Sequence, residues 1–191
     1  MTDISKRCSE MQASPIRKLV PLANGAKARG IDVYHLNIGQ PDIPTPPEYW
    51  RSMTENCPQV LAYGPSQGLD ILRDAISLYY RRSEISVERD EIMITTGGSE
   101  AVFFAFLATC DPGDEVICFE PFYTNYNGFA TMAGVKLVPV TSSVENGFHL
   151  PPAEDIEAKI TGRTRAVLIC TPNNPTGPCS PPGSLTPCPT L

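Results

Sequence analysis

A glycine-rich turn at residues 95–101 has the composition of an anion-binding site. It joins a predicted strand to a predicted helix and reads Thr-Thr-Gly-Gly-Ser-Glu-Ala. Gly97 and Gly98 permit a tight turn, Ser99 can cap the helix, and the N–H groups of the first helical turn attract a phosphate. A plain strand–turn–helix connection explains the same residues, because the run is neither a Walker A loop nor a dinucleotide fingerprint.

Two further side chains follow predicted strands. Tyr123 comes after the strand at residues 115–120 and could stack on a planar ring, although core packing explains an aromatic there equally well. Asn174 comes after the strand at residues 165–170 and offers an amide, or serves only as a turn residue. Ligands of open α/β sheets bind at the carboxyl ends of strands. Together, the three features suit a planar, phosphorylated aromatic ligand.

The elements that carry these residues alternate between strands and helices. Short connections between alternating elements predict a mostly parallel sheet with flanking helices. Upstream of this region we predict a helix at residues 14–30 that Pro21 kinks, and a short strand at residues 33–36. The remaining predicted helices lie at residues 47–56, 69–82, 99–110, 123–133 and 152–160, and the remaining strands at residues 91–95, 115–120, 135–140 and 165–170.

Composition excludes several classes of partner. The net charge of −6 argues against nucleic acid and against anionic membranes. A hydrophobic content of 41% in 191 residues fits a globular domain, and no apolar run reaches membrane length. The start of the chain lacks a signal-peptide core, so we expect a cytoplasmic protein. Seven cysteines without CxxC pairs predict neither a metal site nor a disulfide framework.

The stretch of residues 14–177 resembles the class I/II aminotransferases of fold type I, which use pyridoxal 5'-phosphate (PLP). Five motifs occur in the family's order, ending at the turn Asn-Pro-Thr-Gly of residues 174–177. The resemblance implies an incomplete PLP-transferase-type large domain (α/β) at residues 61–177. An N-terminal arm and part of the small domain would occupy residues 1–60. The implied activity is transfer of an amino group from an amino acid to a 2-oxo acid, in a homodimer.

The resemblance assigns cofactor contacts to five residues of the sheet region. Gly98, Ser99 and Glu100 match the phosphate-binding loop, and only the backbone role carries over because many relatives differ at the last two positions. Tyr123 matches the aromatic residue that stacks on the pyridine ring. Asn174 matches the asparagine that bonds the cofactor's 3′-oxygen, and it also belongs to the substrate site.

Two more matches lie earlier in the chain. Gly39, within Leu-Asn-Ile-Gly-Gln-Pro-Asp, matches the glycine whose backbone approaches the substrate carboxylate. Tyr63, within Tyr-Gly-Pro-Ser-Gln-Gly, matches the tyrosine that reaches across a dimer to the neighbouring cofactor's phosphate.

The family's catalytic residues have no match in this chain. Its Schiff-base lysine, the carboxylate at the pyridine nitrogen and the substrate-binding arginine all follow the Asn-Pro-Thr-Gly turn. We therefore expect the chain as written to be inactive, and two alternatives stay open: a PLP-dependent lyase or synthase of the same fold, and a non-catalytic phosphate-binding or dimerisation module. The lysines present, none in a matching context, are Lys6, Lys18, Lys27, Lys136 and Lys159.

The last fourteen residues differ from the rest of the chain. Residues 178–191 hold five prolines, two cysteines and no charge, and they show no helical or strand period. Reading their codons one base out of frame permits a capped helix start with leucines at three-residue spacing. We interpret residues 178–191 as a non-native or disordered tail produced by a frameshift near Gly177.

Overall fold

The computed structural model describes residues 3–12, 15 and 17–179. Contacts divide the chain into two compact units, one formed by residues 1–24 and 97–191 and the other by residues 25–96. The helices and strands, in chain order, are α1 (Lys6–Glu10), α2 (Val20–Ala28), α3 (Pro47–Glu55), α4 (Asp70–Arg81), α5 (Gly98–Thr109), β1 (Glu115–Glu120), α6 (Asn125–Ala133), β2 (Lys136–Thr141), α7 (Ala153–Glu157) and β3 (Thr164–Leu168).

The larger unit is built on a parallel sheet in the order β2-β1-β3. Glu115 pairs with Lys136 on one side of β1, and Val116 pairs with Ala166 on the other. The run Val-Ile-Cys at residues 116–118 is at most 1% exposed. A strand buried on both faces needs such an unbroken apolar run, which is typical of parallel sheets. The predicted parallel sheet with flanking helices is confirmed.

Helices α5 and α6 cover one face of the sheet. Their contacts with the strands form a core of five buried side chains: Phe106, Val116, Ala130, Ala133 and Val135. A tight turn at residues 111–114 joins α5 directly to β1 and is closed by the Asp114 N–H, which donates to the Asp111 carbonyl at 3.0 Å. Because α5 therefore runs opposite to β1, its N-terminus lies at the edge where the strands end.

At the opposite edge of the sheet, where the strands begin, charged residues connect the strands by hydrogen bonds. The Glu115 carboxylate is only 2% exposed. It accepts hydrogen bonds from Thr161 Oγ1 at 2.7 Å, Arg163 Nη2 at 2.9 Å and Lys136 Nζ at 3.1 Å. These contacts join the starts of all three strands, because Lys136 opens β2 and Thr161 and Arg163 directly precede β3.

The smaller unit contains α3 and α4. Arg73 of α4 is 5% exposed and donates to the Arg89 carbonyl at 2.7 Å and the Ile92 carbonyl at 3.0 Å. Arg89 in turn forms a bidentate ion pair with Asp74, with contacts of 2.6 and 2.8 Å. These bonds fix α4 to residues 89–92, which lead towards the glycine-rich turn.

Three predicted elements differ from the structure. Residues 33–36 and 91–95 form no strand, because strands need a hydrogen-bonded neighbour. The Ile94 N–H instead donates to the Gln67 carbonyl, at 2.9 Å. The predicted helix at residues 14–30 appears as a 3-10 turn at Arg17–Leu19 followed by α2, since Pro21 has no N–H and suits a first helical turn. Its predicted start at residue 14 lies outside the described residues.

The predicted domain boundaries at residues 60 and 177 stay predictions, and residues 180–191 of the predicted tail lie outside the described part of the chain. Among the described residues, none of the helices combines the length and apolar character that crossing a bilayer requires.

Candidate functional site

The carboxyl edge of the sheet brings the ends of β1 and β3 together. Pro121 directly follows β1, and the Asn-Pro-Thr-Gly turn follows β3. Asn173 Nδ2 donates to the Pro121 carbonyl at 3.1 Å and so joins the two segments. Sequence reasoning missed this residue, and the only local signal for it is a second asparagine beside Asn174.

Tyr123 lies in the connection between β1 and α6, two residues before the helix begins. It is half-buried, and its ring meets Tyr126 edge-on, with the ring centroids 5.5 Å apart. Asn125 Nδ2 donates to the Tyr123 hydroxyl at 2.7 Å, and the Tyr126 N–H donates to the Tyr123 carbonyl at 3.0 Å. These contacts restrict the ring to one orientation at the strand end. Tyr126 is a second supporting residue that the sequence analysis did not single out.

Asn174 is exposed at the tip of its turn. The turn is closed by two backbone hydrogen bonds of Asn173, whose N–H donates to the Pro178 carbonyl and whose carbonyl accepts from the Gly177 N–H, both at 2.9 Å. Gly177 has a φ of +87°, a conformation that favours glycine, so it permits the chain to reverse here. The amide of Asn174 is thereby presented to solvent beside the end of β3.

The N-terminus of α5 reaches the same edge. Its N-cap is Gly97, with a φ of +81° and no side-chain capping bond, so the predicted capping role of Ser99 is wrong. The left-handed turn at Gly97 starts the helix at Gly98, which places Ser99 inside the first turn with an exposed side chain. A Cβ added to Gly98 would meet nothing within 4 Å, so a ligand can approach this backbone closely. Glu100 follows in the same turn and is half-buried.

Gly39 and Tyr63 belong to the smaller unit. Gly39 is exposed, and a Cβ added there would meet nothing within 4 Å. The Tyr63 side chain is fully exposed, in a loop that ends at Gly68. Gly68 has a φ of +98° and lies so close to Ile94 that an added Cβ would overlap its side chain at 2.2 Å. The roles predicted for Gly39 and Tyr63 stay predictions.

A small cavity of about 30 Å³ lies behind the strand ends, lined by residues that include Cys118, Tyr126, Cys170 and Asn173. Burial raises the pKa of the Cys118 thiol to about 12, with a further contribution from Glu120. The pKa of Tyr126 is also raised to about 12, first by burial and then by the neighbouring Cys170. Both groups are therefore neutral near pH 7 and act as packing and hydrogen-bonding groups.

The sequence matches a known family. The sequence profile of "Aminotransferase class I and II" matches residues 31–187, so the chain belongs to this family. Members of the family are generally dependent on PLP.

Curated relatives are about one-third identical to this chain over the part that aligns. The aspartate/prephenate aminotransferase of Thermus thermophilus is 35% identical over an alignment of 187 residues, and the match covers 95% of this chain and 47% of the relative. The aspartate aminotransferase of Thermotoga maritima is 36% identical over an alignment of 183 residues, and the match covers 91% of this chain and 46% of the relative. The chain thus spans about half the length of the curated relatives it matches.

Solved structures of aminotransferases also match this chain over about half of their own length. An aspartate aminotransferase mutant from Thermus thermophilus superimposes with a TM-score of 0.86 at 34% identity, over 95% of this chain and 48% of that chain. An alanine aminotransferase from Pyrococcus furiosus gives a TM-score of 0.85 at 34% identity, over 94% of this chain and 47% of that chain. The matching folds are thus those of aminotransferases about twice as long.

Proposed function

We propose that this chain provides the cofactor-binding edge of a PLP-dependent aminotransferase but, as written, does not transfer amino groups. The observation that supports this proposal is the placement of three features relative to the carboxyl edge of the sheet: Tyr123 follows β1, Asn174 follows β3, and α5 runs opposite to β1, so that its N-terminus lies towards that edge. The proposed substrates of the complete enzyme are an amino acid and a 2-oxo acid. A homodimeric, cytoplasmic enzyme is part of the same proposal.

The donor set at this edge fits the phosphate and ring of PLP. Backbone N–H groups of the first turn of α5, from Gly98 to Glu100, would hold the phosphate, because a helix N-terminus favours an anion. The Tyr123 ring would stack on the pyridine ring, and the Asn174 amide would donate to the 3′-oxygen. When bound, PLP supplies the aldehyde and the electron-withdrawing ring that transamination needs.

The lysines near the sheet lie at the wrong edge for covalent chemistry. Lys136 opens β2 and pairs with Glu115 at the start of β1, and Lys159 precedes Thr161, which bonds the same carboxylate. A strand of six residues is about 20 Å long, so the Lys136 ammonium is separated from the carboxyl edge by roughly that length, and Lys159 lies in the segment that leads to the same amino edge. Neither lysine can replace the one that holds the cofactor in the family. This placement also favours the second candidate function, a non-catalytic phosphate-binding module.

Pyridoxamine 5′-phosphate tests the binding proposal, because it carries the phosphate and the ring but has no aldehyde to react with surface lysines. We expect saturable binding to one site per chain in equilibrium dialysis. Tyr123→Ala and Asn174→Ala should weaken binding, each by about three- to tenfold, since each removes a contact worth about 0.5–1.5 kcal/mol. Asn146→Ala, at an exposed asparagine of the same unit, is the matched control and should leave binding unchanged.

Borohydride reduction with PLP tests the proposed lack of activity. We expect labelling spread over surface lysines, with no stoichiometric adduct at one of them, and no conversion of amino donors to oxo acids. A single labelled lysine together with turnover would overturn the inactive state. Absence of saturable pyridoxamine 5′-phosphate binding would overturn the cofactor-binding proposal itself.

A further inference from the structure

We propose that Asn173 is a positioning residue that sets the distance between the two ring contacts, Tyr123 and Asn174. This inference rests on the proposed function, because it concerns the same cofactor edge. The family resemblance assigns a role to Asn174, and the structure adds its neighbour, whose side chain faces the protein instead of the ligand.

The first observation is the bond between strand ends. Asn173 Nδ2 donates to the Pro121 carbonyl at 3.1 Å, across 52 positions of sequence. A backbone carbonyl only accepts hydrogen bonds, so the amide nitrogen and not the amide oxygen must face Pro121. The same nitrogen also contacts the Thr176 hydroxyl within the turn. One half-buried amide therefore joins the segment after β1 to the turn after β3.

The second observation is that Asn173 also closes its own turn. Its N–H and carbonyl form the backbone bonds to Pro178 and Gly177, so main chain and side chain hold the turn at one residue. Asn174 is the next residue in the chain and is exposed. Movement of Asn173 relative to Pro121 would therefore move the Asn174 amide by a similar amount.

The third observation is the rigidity on the side of β1. Pro121 is two residues before Tyr123, whose carbonyl, hydroxyl and ring all contact the start of α6 through Asn125 and Tyr126. A displacement at Pro121 is thus transmitted to the ring of Tyr123. Loss of the Asn173 amide would free the two ring contacts from each other, while the α5 N-terminus would be untouched.

Asn173→Asp in the full chain removes both N–H donors at almost unchanged size, and Asn146→Asp makes the same chemical change at an exposed control site. Equilibrium dialysis gives dissociation constants for pyridoxamine 5′-phosphate and pyridoxamine, which depend on the ring contacts. Competition by inorganic phosphate gives a dissociation constant that depends on the N-terminus of α5. We expect Asn173→Asp to weaken both pyridoxamine ligands about five- to tenfold, the change expected from losing one hydrogen bond. The apparent dissociation constant for inorganic phosphate should stay within about twofold of the value for the original chain.

Hydrogen exchange measured by mass spectrometry tests the hydrogen bond between Asn173 and Pro121 without any ligand. Asn173→Asp should speed exchange in residues 171–179 and also in residues 121–126, and Asn146→Asp should change neither. Asn173→Ala, which adds no charge, should reproduce both effects.

The outcomes separate this inference from the proposed function. Equal weakening of phosphate and ring ligands would indicate general destabilisation and overturn the positioning role. Faster exchange confined to residues 171–179 would also overturn the positioning role, because the hydrogen bond to Pro121 would then not connect the two segments. If the original chain binds none of the pyridoxamine ligands, the proposed function fails. The positioning role then fails with it, whatever the exchange data show for the hydrogen bond between Asn173 and Pro121.

Discussion

Glu115 is a buried carboxylate whose charge is held by three donors. The hydrogen bond from Thr161 contributes most to lowering its pKa, followed by those from Arg163 and Lys136, and together they bring it from an ordinary value of 4.5 to about 2. A carboxyl group whose pKa is lower in the folded chain stabilises the fold at pH values above its unfolded pKa. That stabilisation is lost as the pH falls from about 4.5 towards 2.

We therefore expect the urea midpoint of the full chain to fall as the pH drops through this window, followed by circular dichroism. Glu115→Gln should lower the midpoint at pH 7, because the charged partners lose their carboxylate. It should also flatten the decline between pH 4.5 and 2. Glu154→Gln removes an exposed carboxyl of α7 and serves as the comparison. An unchanged acid slope in Glu115→Gln would show that other groups control the acid response.

Neighbouring side chains of the same type differ in role at the carboxyl edge of the sheet. Asn173 and Asn174 are identical in type, but the first is half-buried against Pro121 and the second is exposed. Tyr123 and Tyr126 differ in the same way, since the first is half-buried and the second is 9% exposed. In each pair, the more exposed residue lies at the carboxyl edge of the sheet, where we propose that the cofactor binds, and its more buried partner supports it.

At the scale of elements, the connection from α6 to β2 depends on one glycine. Gly134 follows α6 with a φ of +74°, and its N–H donates to the Thr131 carbonyl at 3.2 Å. Its carbonyl accepts from the Gly113 N–H at 2.9 Å, which joins this turn to the one before β1. A Cβ added to Gly134 would lie 3.3 Å from Pro112 Cβ. The two turns at the amino edge thus pack closely because Gly134 has no side chain on the side where Pro112 lies.

Gly134→Ala should destabilise the chain by about 1–2 kcal/mol, the cost of a left-handed conformation for a residue with a Cβ. Gly128→Ala is the matched control within α6. A Cβ there makes an ordinary contact of 3.6 Å with Met11, so the change should stabilise the helix by about 0.5–1 kcal/mol. Urea unfolding measures both variants, and effects of the same sign would contradict the structural explanation.

At the scale of the whole molecule, apolar surface is unusually exposed. Large exposed apolar patches mark interaction sites or sites of aggregation. The chain corresponds to about half of its relatives, which supply further residues to their own folds. The most exposed large apolar side chains, each more than 70% accessible, are Leu22, Tyr34, Leu36, Ile43, Val60, Leu61, Tyr63 and Ile71.

We expect the chain to associate with itself as its concentration rises. Sedimentation velocity over a concentration series should show a growing average mass, and the chain should bind the apolar dye ANS. Replacing Leu36 and Leu61 with lysine should reduce both signals without removing a buried contact, because both side chains are almost fully exposed. A sharp thermal transition from a monomer that binds no dye would contradict this expectation.

The frameshift hypothesis concerns the gene and stays a prediction. The family match extends to residue 187, ten residues beyond Gly177, so the limit of similarity does not mark a shift. The nucleotide sequence decides the question. We expect the frame shifted by one base near codon 177 to continue to a lysine and an arginine in the family's contexts. A stop codon soon after codon 191 in that frame, or a continuation without the lysine, would disprove the shift.

The sequence by itself determined the local parts of this protein. Alternating apolar segments predicted β1, β2, β3 and the helices between them, because burial imposes its period on the residues of each element. The same reasoning placed Tyr123 and Asn174 after strands, where parallel sheets bind ligands. These features depend on neighbours in the chain, so they are visible without a fold.

Only the tertiary structure decided the features that depend on distant partners. The sequence of residues 91–95 predicts a strand, yet the Ile94 N–H donates to the Gln67 carbonyl and not to a neighbouring strand. The sequence favours Ser99 as the N-cap, yet the N-cap is Gly97, two residues earlier, and the helix starts at Gly98. The sequence does not reveal the contact that Asn173 makes, because its acceptor, the Pro121 carbonyl, is brought near only by the pairing of β1 with β3. A hydrogen bond between strand ends exists only after the chain has folded.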